Sequence, residues 1–127
     1  MRVLWDEFTA ETTYTPYPGV PFSEELLSDV IALVAEDSGV PAGCVYANPE
    51  SEHFGFVFGL YVRPQARGRG VAKALMRAVA GELRERQRKY VVLSVDGANV
   101  AARSLYDGLG FTEVAQTLRL PVEQLLR

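Results

Sequence analysis

Cysteine is nearly missing from this chain: one in 127 residues. Cys44 therefore has no partner for an intramolecular disulfide, and no thiolate metal cluster can form. Its setting in the apolar run AGCVYA reads as a small buried core residue. Histidine is as scarce, with His53 alone, and no metal site is expected. No apolar run approaches the roughly 20 residues that a membrane span needs, and the N-terminus lacks a basic stretch followed by an apolar one, so a soluble cytoplasmic protein is expected. Bases are almost absent from residues 1–60, where ten acids face only Arg2, a balance of −9. Residues 61–127 carry +6, within a total of −3. Such asymmetry suggests two unlike ligands, one anionic and one cationic, and its alternative is a solvated charged surface.

What is present is enough for one core: 48% of the residues are apolar, in a chain the length of a single domain spanning 1–127. Helical spacing at Leu4, Trp5 and Phe8 in VLWDEFTAET is broken by the proline-rich YTPYPGVP, and FSEELLSDVI restarts a helix with Ser23 as its N-cap. IALVAE and AGCVYA read as strands joined through DSGVP, and the aromatic, β-branched FGFVFGLYV as a central strand. Ala72, Leu75, Met76, Val79 and Leu83 make an apolar stripe that predicts one helix over 71–88. YVVLSV predicts a strand, NVAARSLYDGLG a short helix ended by glycine, and FTEVAQTLRL a last strand with partial alternation. This order implies a mixed sheet with helices on its faces, an α/β (α+β) fold.

The stretch Arg63 to Met76, RPQARGRGVAKALM, places arginines and glycines directly ahead of an apolar helix. A helix begins with about four backbone N–H groups that have no intrahelical partner, and Ser, Thr, Asp or Asn usually accepts from them. Here only Gly and Arg are available. A strand ending at Val62, a glycine loop and a bare helix start would point several N–H groups at one spot, made positive by the helix dipole, and an anion would complete it. Gly68 and Gly70 let a ligand approach the backbone, while Arg67 and Arg69 add charge suited to phosphate. No acid follows before Glu82, so nothing in the chain is expected to neutralise the spot. A P-loop would need Gly-Lys followed by Ser or Thr, which disfavours ordinary nucleoside triphosphate binding, and the dinucleotide fingerprint fails because it would need glycine where Lys73 stands.

Gln65-Ala-Arg-Gly68-Arg-Gly70-Val-Ala resembles the pyrophosphate-binding motif of the GNAT acetyltransferases, Q/R-x-x-G-x-G/A. GLYVRP precedes it as that family's fourth strand does. NVAARSLYDGLGF, further on, is similar to the family's N-x-x-A-x-x-x-Y-x-x-x-G-F element, matched by Asn99, Ala102, Tyr106, Gly110 and Phe111. The resemblance runs from about residue 43 to 120. It implies a mostly antiparallel mixed sheet flanked by helices, acetyl-CoA as cofactor, and direct acetyl transfer to a primary amine of a small molecule, peptide or protein. The family's opening strand is missing or displaced here, which would leave the edge of IALVA to be covered, for instance in a homodimer. Neither nucleic acid nor membrane is expected as a partner, since a net acidic chain has poor affinity for phosphate backbones.

The resemblance also implies roles. Leu60, Tyr61 and Val62 would offer backbone groups to the oxyanion and the pantetheine amides, with Gly59 consistent with a bulge that frees them. Gln65, Arg67, Gly68, Arg69, Gly70, Val71 and Ala72 would hold the pyrophosphate. Asn99 is an N-cap that could also touch the pantetheine arm, beside Ala102. Tyr106 would protonate the departing thiolate, its alternative role being packing. The central strand lacks the family's usual Glu, and Glu52 and His53 are the nearest substitutes as general base. Tyr14, Tyr17 and Phe22 lie in the loop that borders the acceptor pocket. A competing reading is a non-catalytic module of the same fold that binds CoA or acyl-CoA and regulates a partner.

Overall fold

The computed structural model describes residues 3, 4, 7, 30–116 and 118–127. Val3, Leu4 and Glu7 are helical, as the opening pattern predicts; the helix expected after Ser23 lies outside the described residues. No helix among the described residues is long and apolar enough to cross a membrane. Those up to Ser94 form one compact unit and those from Val95 another.

The first unit is a four-stranded mixed sheet in the order β1-β2-β3-β4. β1 (Ile31–Asp37) and β2 (Val40–Asn48) form the expected hairpin, closed by Ser38 and Gly39 with φ of 52° and 82°. Positive φ at both central residues is the primed turn geometry whose twist suits a hairpin. β3 (Phe54–Val62) lies antiparallel to β2, and β4 (Tyr90–Leu93) parallel to β3. A parallel neighbour requires a crossover, supplied by α1 (Val71–Glu85).

The α1 stripe predicted from spacing is buried at Leu75, Met76, Val79 and Leu83. Each such side chain contributes about 1.5–3 kcal/mol relative to exposure. The helix seats closely because two facing strand positions have no side chain. A Cβ at Gly55 would clash with Leu83, and one at Gly43 would lie 2.6 Å from the Tyr61 carbonyl oxygen and 3.3 Å from Leu75. The helix ends at Glu85, three residues short of the expected 88, and the chain turns away at Gln87. There φ is +62°, and Gln87 N donates to Arg84 O (2.9 Å) and Arg88 N to Leu83 O (2.9 Å), the paired bonds of a Schellman ending. On the opposite sheet face Leu4 packs with Cys44, Tyr46 and Tyr61, and Phe58 stacks on Tyr46 at 5.3 Å.

Opposite β2, β3 carries one extra residue. Tyr46 faces Phe58 and Cys44 faces Tyr61, so Gly59 and Leu60 together oppose Val45. Gly59 has φ +63°, the left-handed backbone of a glycine bulge. The bulge places Phe58 and Tyr61, three residues apart, against the same cluster with Leu4. The Cys44 thiol lies 3.7 Å from the Gly59 carbonyl oxygen. Burial pushes this thiol up from 9.0 to about 11 and the neighbouring Tyr46 phenol from 10.0 to about 12.

In the second unit α2 (Val100–Leu109) is capped by Asn99, whose side-chain oxygen accepts from Ala102 N at 3.1 Å, and ends at Gly110 with φ +97°. Ala102, Leu105, Tyr106 and Leu109 are its half-buried face. α3 (Val122–Leu125) is a single turn. The strand predicted over FTEVAQTLRL does not form: residues 111–116 and 118–120 carry no ladder. Val114, Leu118 and Leu120 share one parity yet are 86%, 89% and 49% exposed, and Gln116 interrupts them. Alternation states which face a strand would bury; without burial or a paired edge it does not hold one.

Candidate functional site

The loop between β3 and α1 begins where the β2–β3 ladder ends, with Arg63 N donating to Ala42 O at 2.8 Å. Pro64–Ala66 makes one 3-10 turn and buries Ala66, with Gln65 exposed. Gly68 and Gly70 then take φ of +78° and +80°. Gly70 is the N-cap of α1, no side chain caps that end, and no acid stands in its first turn. The first helical bond, Ala74 N to Gly70 O at 3.0 Å, leaves the N–H groups of Val71, Ala72 and Lys73 at the open end of the helix. Among the described residues, a Cβ at Gly68 or Gly70 would meet no atom within 4 Å. Backbone conformation, not crowding, demands glycine there, and a side chain would fill the open space above the amides. These residues fit an anionic, phosphate-bearing group.

The three arginines of the stretch have separate partners. Arg63 donates from Nε and Nη2 to the Glu7 carboxylate at 3.1 and 2.9 Å, and from Nη1 to Pro41 O at 3.1 Å. Its pKa is raised by that carboxylate, and its role is to tie residue 7 to the end of β3. Arg67 donates from Nε to Val62 O at 2.9 Å and lies 5.7 Å from the centre of the Tyr61 ring. Arg69 pairs with Asp37 at 3.1 Å, both side chains being largely exposed. The expectation that nothing neutralises the loop is thereby corrected. Asp37 is the last residue of β1, which the hairpin register carries to the end of the sheet where the loop lies. That proximity depends on strand pairing and is invisible to spacing along the chain.

Beside the loop, β4 pairs with β3 only from Phe54 to Val57, while β3 continues through the bulge to Val62. Because Arg63 N faces β2, ladder alternation turns the backbone groups of Val62 toward the other edge, where Arg67 reaches the carbonyl. Leu60, Tyr61 and Val62 thus stand together with Gln65, Arg67, Gly68, Arg69, Gly70, Val71 and Ala72 at one end of the sheet. Glu52 and His53 do not join them. Both are exposed at the start of β3, about 20 Å from Gly59 at the rise of a strand. His53 instead ties down backbone: its carbonyl accepts from Lys89 N and Tyr90 N at 2.9 and 3.2 Å. Tyr14, Tyr17 and Phe22 lie outside the described residues.

Asn99, Ala102 and Tyr106 occupy the cap and half-buried face of α2. The Tyr106 ring meets Phe111 edge-on at 5.6 Å, and burial raises its pKa, so the phenol stays protonated well above neutrality.

The sequence profile described as the Acetyltransferase (GNAT) family matches residues 1–111. N-acetyltransferase 8F1 of Mus musculus is 32% identical over 120 residues, covering 91% of this chain and 54% of that protein. Mycothiol acetyltransferase of Thermobispora bispora is 47% identical over 86 residues, 63% of this chain and 29% of that protein. The chain thus spans about half the length of the first relative and less of the second. Among solved structures, the aminoglycoside N-acetyltransferase AAC(6′)-Iy in complex with the bisubstrate analogue CoA-S-monomethyl-acetylneamine has the same fold. It aligns at a TM-score of 0.69 and 23% identity, over 91% of this chain and 89% of that one.

Proposed function

Since the chain belongs to the GNAT acetyltransferase family, we propose that it transfers the acetyl group of acetyl-CoA directly to a primary amine of a small molecule or of a peptide or protein, in the cytoplasm. Its cofactor is coenzyme A, used as acetyl-CoA. The observation that carries the reading is the start of α1, entered through two left-handed glycines, uncapped and open to space among the described residues.

The N–H groups from Gly68 to Ala72, with Gln65, Arg67 and Arg69, would hold the pyrophosphate. When bound, the cofactor supplies an acyl carbon activated as a thioester. Backbone groups of Leu60, Tyr61 and Val62 would orient the pantetheine amides and donate to the carbonyl oxygen as it becomes negative. Asn99 fixes the start of α2 and with Ala102 lines the pantetheine arm. Tyr106 gives its proton to the departing thiolate: a phenol, with an ordinary pKa of about 10, is protonated at neutral pH and can donate to a thiolate whose conjugate acid on the model-thiol scale lies at about 8.5. A water, or an amine arriving neutral, takes the part of base, given how far Glu52 and His53 stand from the bulge. A homodimer covering the edge of β1 accompanies this reading, and light scattering would return about twice 14.0 kDa.

Release of free thiol from acetyl-CoA in the presence of a panel of primary amines tests the reading; amine-dependent release is expected. The absence of a carboxylate from β3 favours a second reading, a CoA-binding regulatory module. Its signature is a melting temperature raised by CoA with no thiol released beside any amine.

A further inference from the structure

Gly68, Arg69 and Gly70 are the part of the loop least held by its own backbone. Among the described residues none of their N–H groups donates to another backbone group, whereas those of Arg63, Ala66 and Arg67 donate to carbonyls at 2.8, 2.9 and 3.3 Å. A segment this free loses entropy when a ligand orders it. Its one side chain makes the contact that the backbone lacks: Arg69 Nη1 donates to Asp37 Oδ2 at 3.1 Å, across 32 residues of chain. Asp37 is itself anchored. It closes β1 in register with Val40, across the Ser38–Gly39 turn, and its Oδ1 lies 3.4 Å from the Ser38 hydroxyl. The carboxylate occupies one of five guanidinium N–H groups and leaves the others available. By charge alone, however, an acid beside a phosphate site opposes binding.

We propose that Asp37 is a positioning residue for the coenzyme: through Arg69 it ties the glycine segment to the sheet before the pyrophosphate arrives. The inference rests on the coenzyme reading above. Less order then has to be created on binding, and the rotamers of a long side chain are fixed in advance. The two effects of the carboxylate have opposite signs, which makes them separable. Ordering favours binding and acts only through Arg69. The field of the charge opposes binding and acts whether or not Arg69 is present.

Calorimetric titration with CoA decides it, on the wild type, Asp37→Asn, Asp37→Glu, Arg69→Gln, the double variant Asp37→Asn/Arg69→Gln and Glu36→Gln. Both partners are largely exposed, and an exposed pair contributes little to folding, so without ligand the variants should melt with the wild type. Asp37→Asn should bind CoA about two- to fivefold more weakly, and Asp37→Glu, which keeps the carboxylate, should recover most of that loss. With Arg69→Gln already in place, the same Asn substitution should weaken binding no further. Glu36→Gln removes an equal charge from the neighbouring exposed position, which has no ion-pair or hydrogen-bond partner among the described residues, and should not weaken binding. Three results overturn the assignment while leaving the coenzyme site standing: Asp37→Asn binding at least as tightly as the wild type, a Glu variant as weak as the Asn one, or an equal loss in Glu36→Gln or with Arg69 absent. Failure of CoA to bind the wild type would sink the coenzyme reading and this one with it.

Discussion

At the scale of the residue, removing the Tyr106 hydroxyl separates the packing of its ring from the proton donation proposed for it. In Tyr106→Phe the edge-on contact with Phe111 survives, so stability should change by about 1 kcal/mol, the scale of one net hydrogen bond. A proton donor's loss belongs to the transition state, and kcat should fall about 10²- to 10⁴-fold while acetyl-CoA binding, measured separately, stays similar. Wild-type single-turnover rates in a folded Phe variant would remove Tyr106 from the chemistry. Cys44 is read through pH instead. Its thiol is raised from 9.0 to about 11, so the folded state holds a proton that the unfolded chain releases first. The associated stability is present below pH 9 and is lost as pH rises toward 11. Between about pH 8 and about pH 10.5 the wild type should lose about 2 kcal/mol that Cys44→Ala does not lose, read from urea melts. Parallel pH profiles would contradict the raised thiol.

Elements show what spacing along the chain reveals and what it hides. The apolar stripe of α1, its uncapped start, the hairpin turn, the Asn99 cap and the Gly110 ending were legible, because each is a local matter of periodicity or of a few backbone groups. The requirement for glycine at 43 and 55 was not, since it arises where Tyr61 and Leu83 approach from other elements. Nor was the Asp37–Arg69 pair, and the alternation over 111–120 promised a strand that no ladder holds. Two predictions belong here. Gly70→Glu places a side chain in the open space and a negative charge at the helix start. CoA at a hundred times its dissociation constant, worth about 2.7 kcal/mol to the wild type, should then leave the variant's melting temperature unmoved. Gln87→Gly removes a side chain from a left-handed position and should stabilise the chain by about 0.5–1 kcal/mol in chemical denaturation, with CoA binding unchanged. A destabilised glycine variant would show that the Gln87 side chain contributes contacts outweighing its backbone cost.

For the whole molecule, the division of charge sets a competition: residues 1–60 at −9 repel an anionic cofactor, while the loop and α1 attract it. Contacts at a few Å outweigh a field that decays over about 10 Å at 0.1 M salt, so CoA affinity should fall severalfold from about 0.05 to 0.5 M salt. Titration calorimetry across that range checks the sign, and affinity rising with salt would mean that the acidic half dominates. The sequence could announce this division of charge, but it could not announce where the end of β1 carrying Asp37 comes to rest, because that is decided by strand register. The same register makes Gly59 a reading-frame device for the sheet. Were the bulge straightened with every residue kept, each side chain from Leu60 onward would exchange inner for outer, carrying the start of the arginine loop with it, whereas excising Gly59 would return β3 to a regular ladder with Tyr61 still opposite Cys44. Excising two neighbouring residues from an unbulged part of the strand would shorten it and leave the frame intact. A residue with no side chain thus lets the strand absorb one extra step and keep the parity on which the arginine-loop end of the sheet is built.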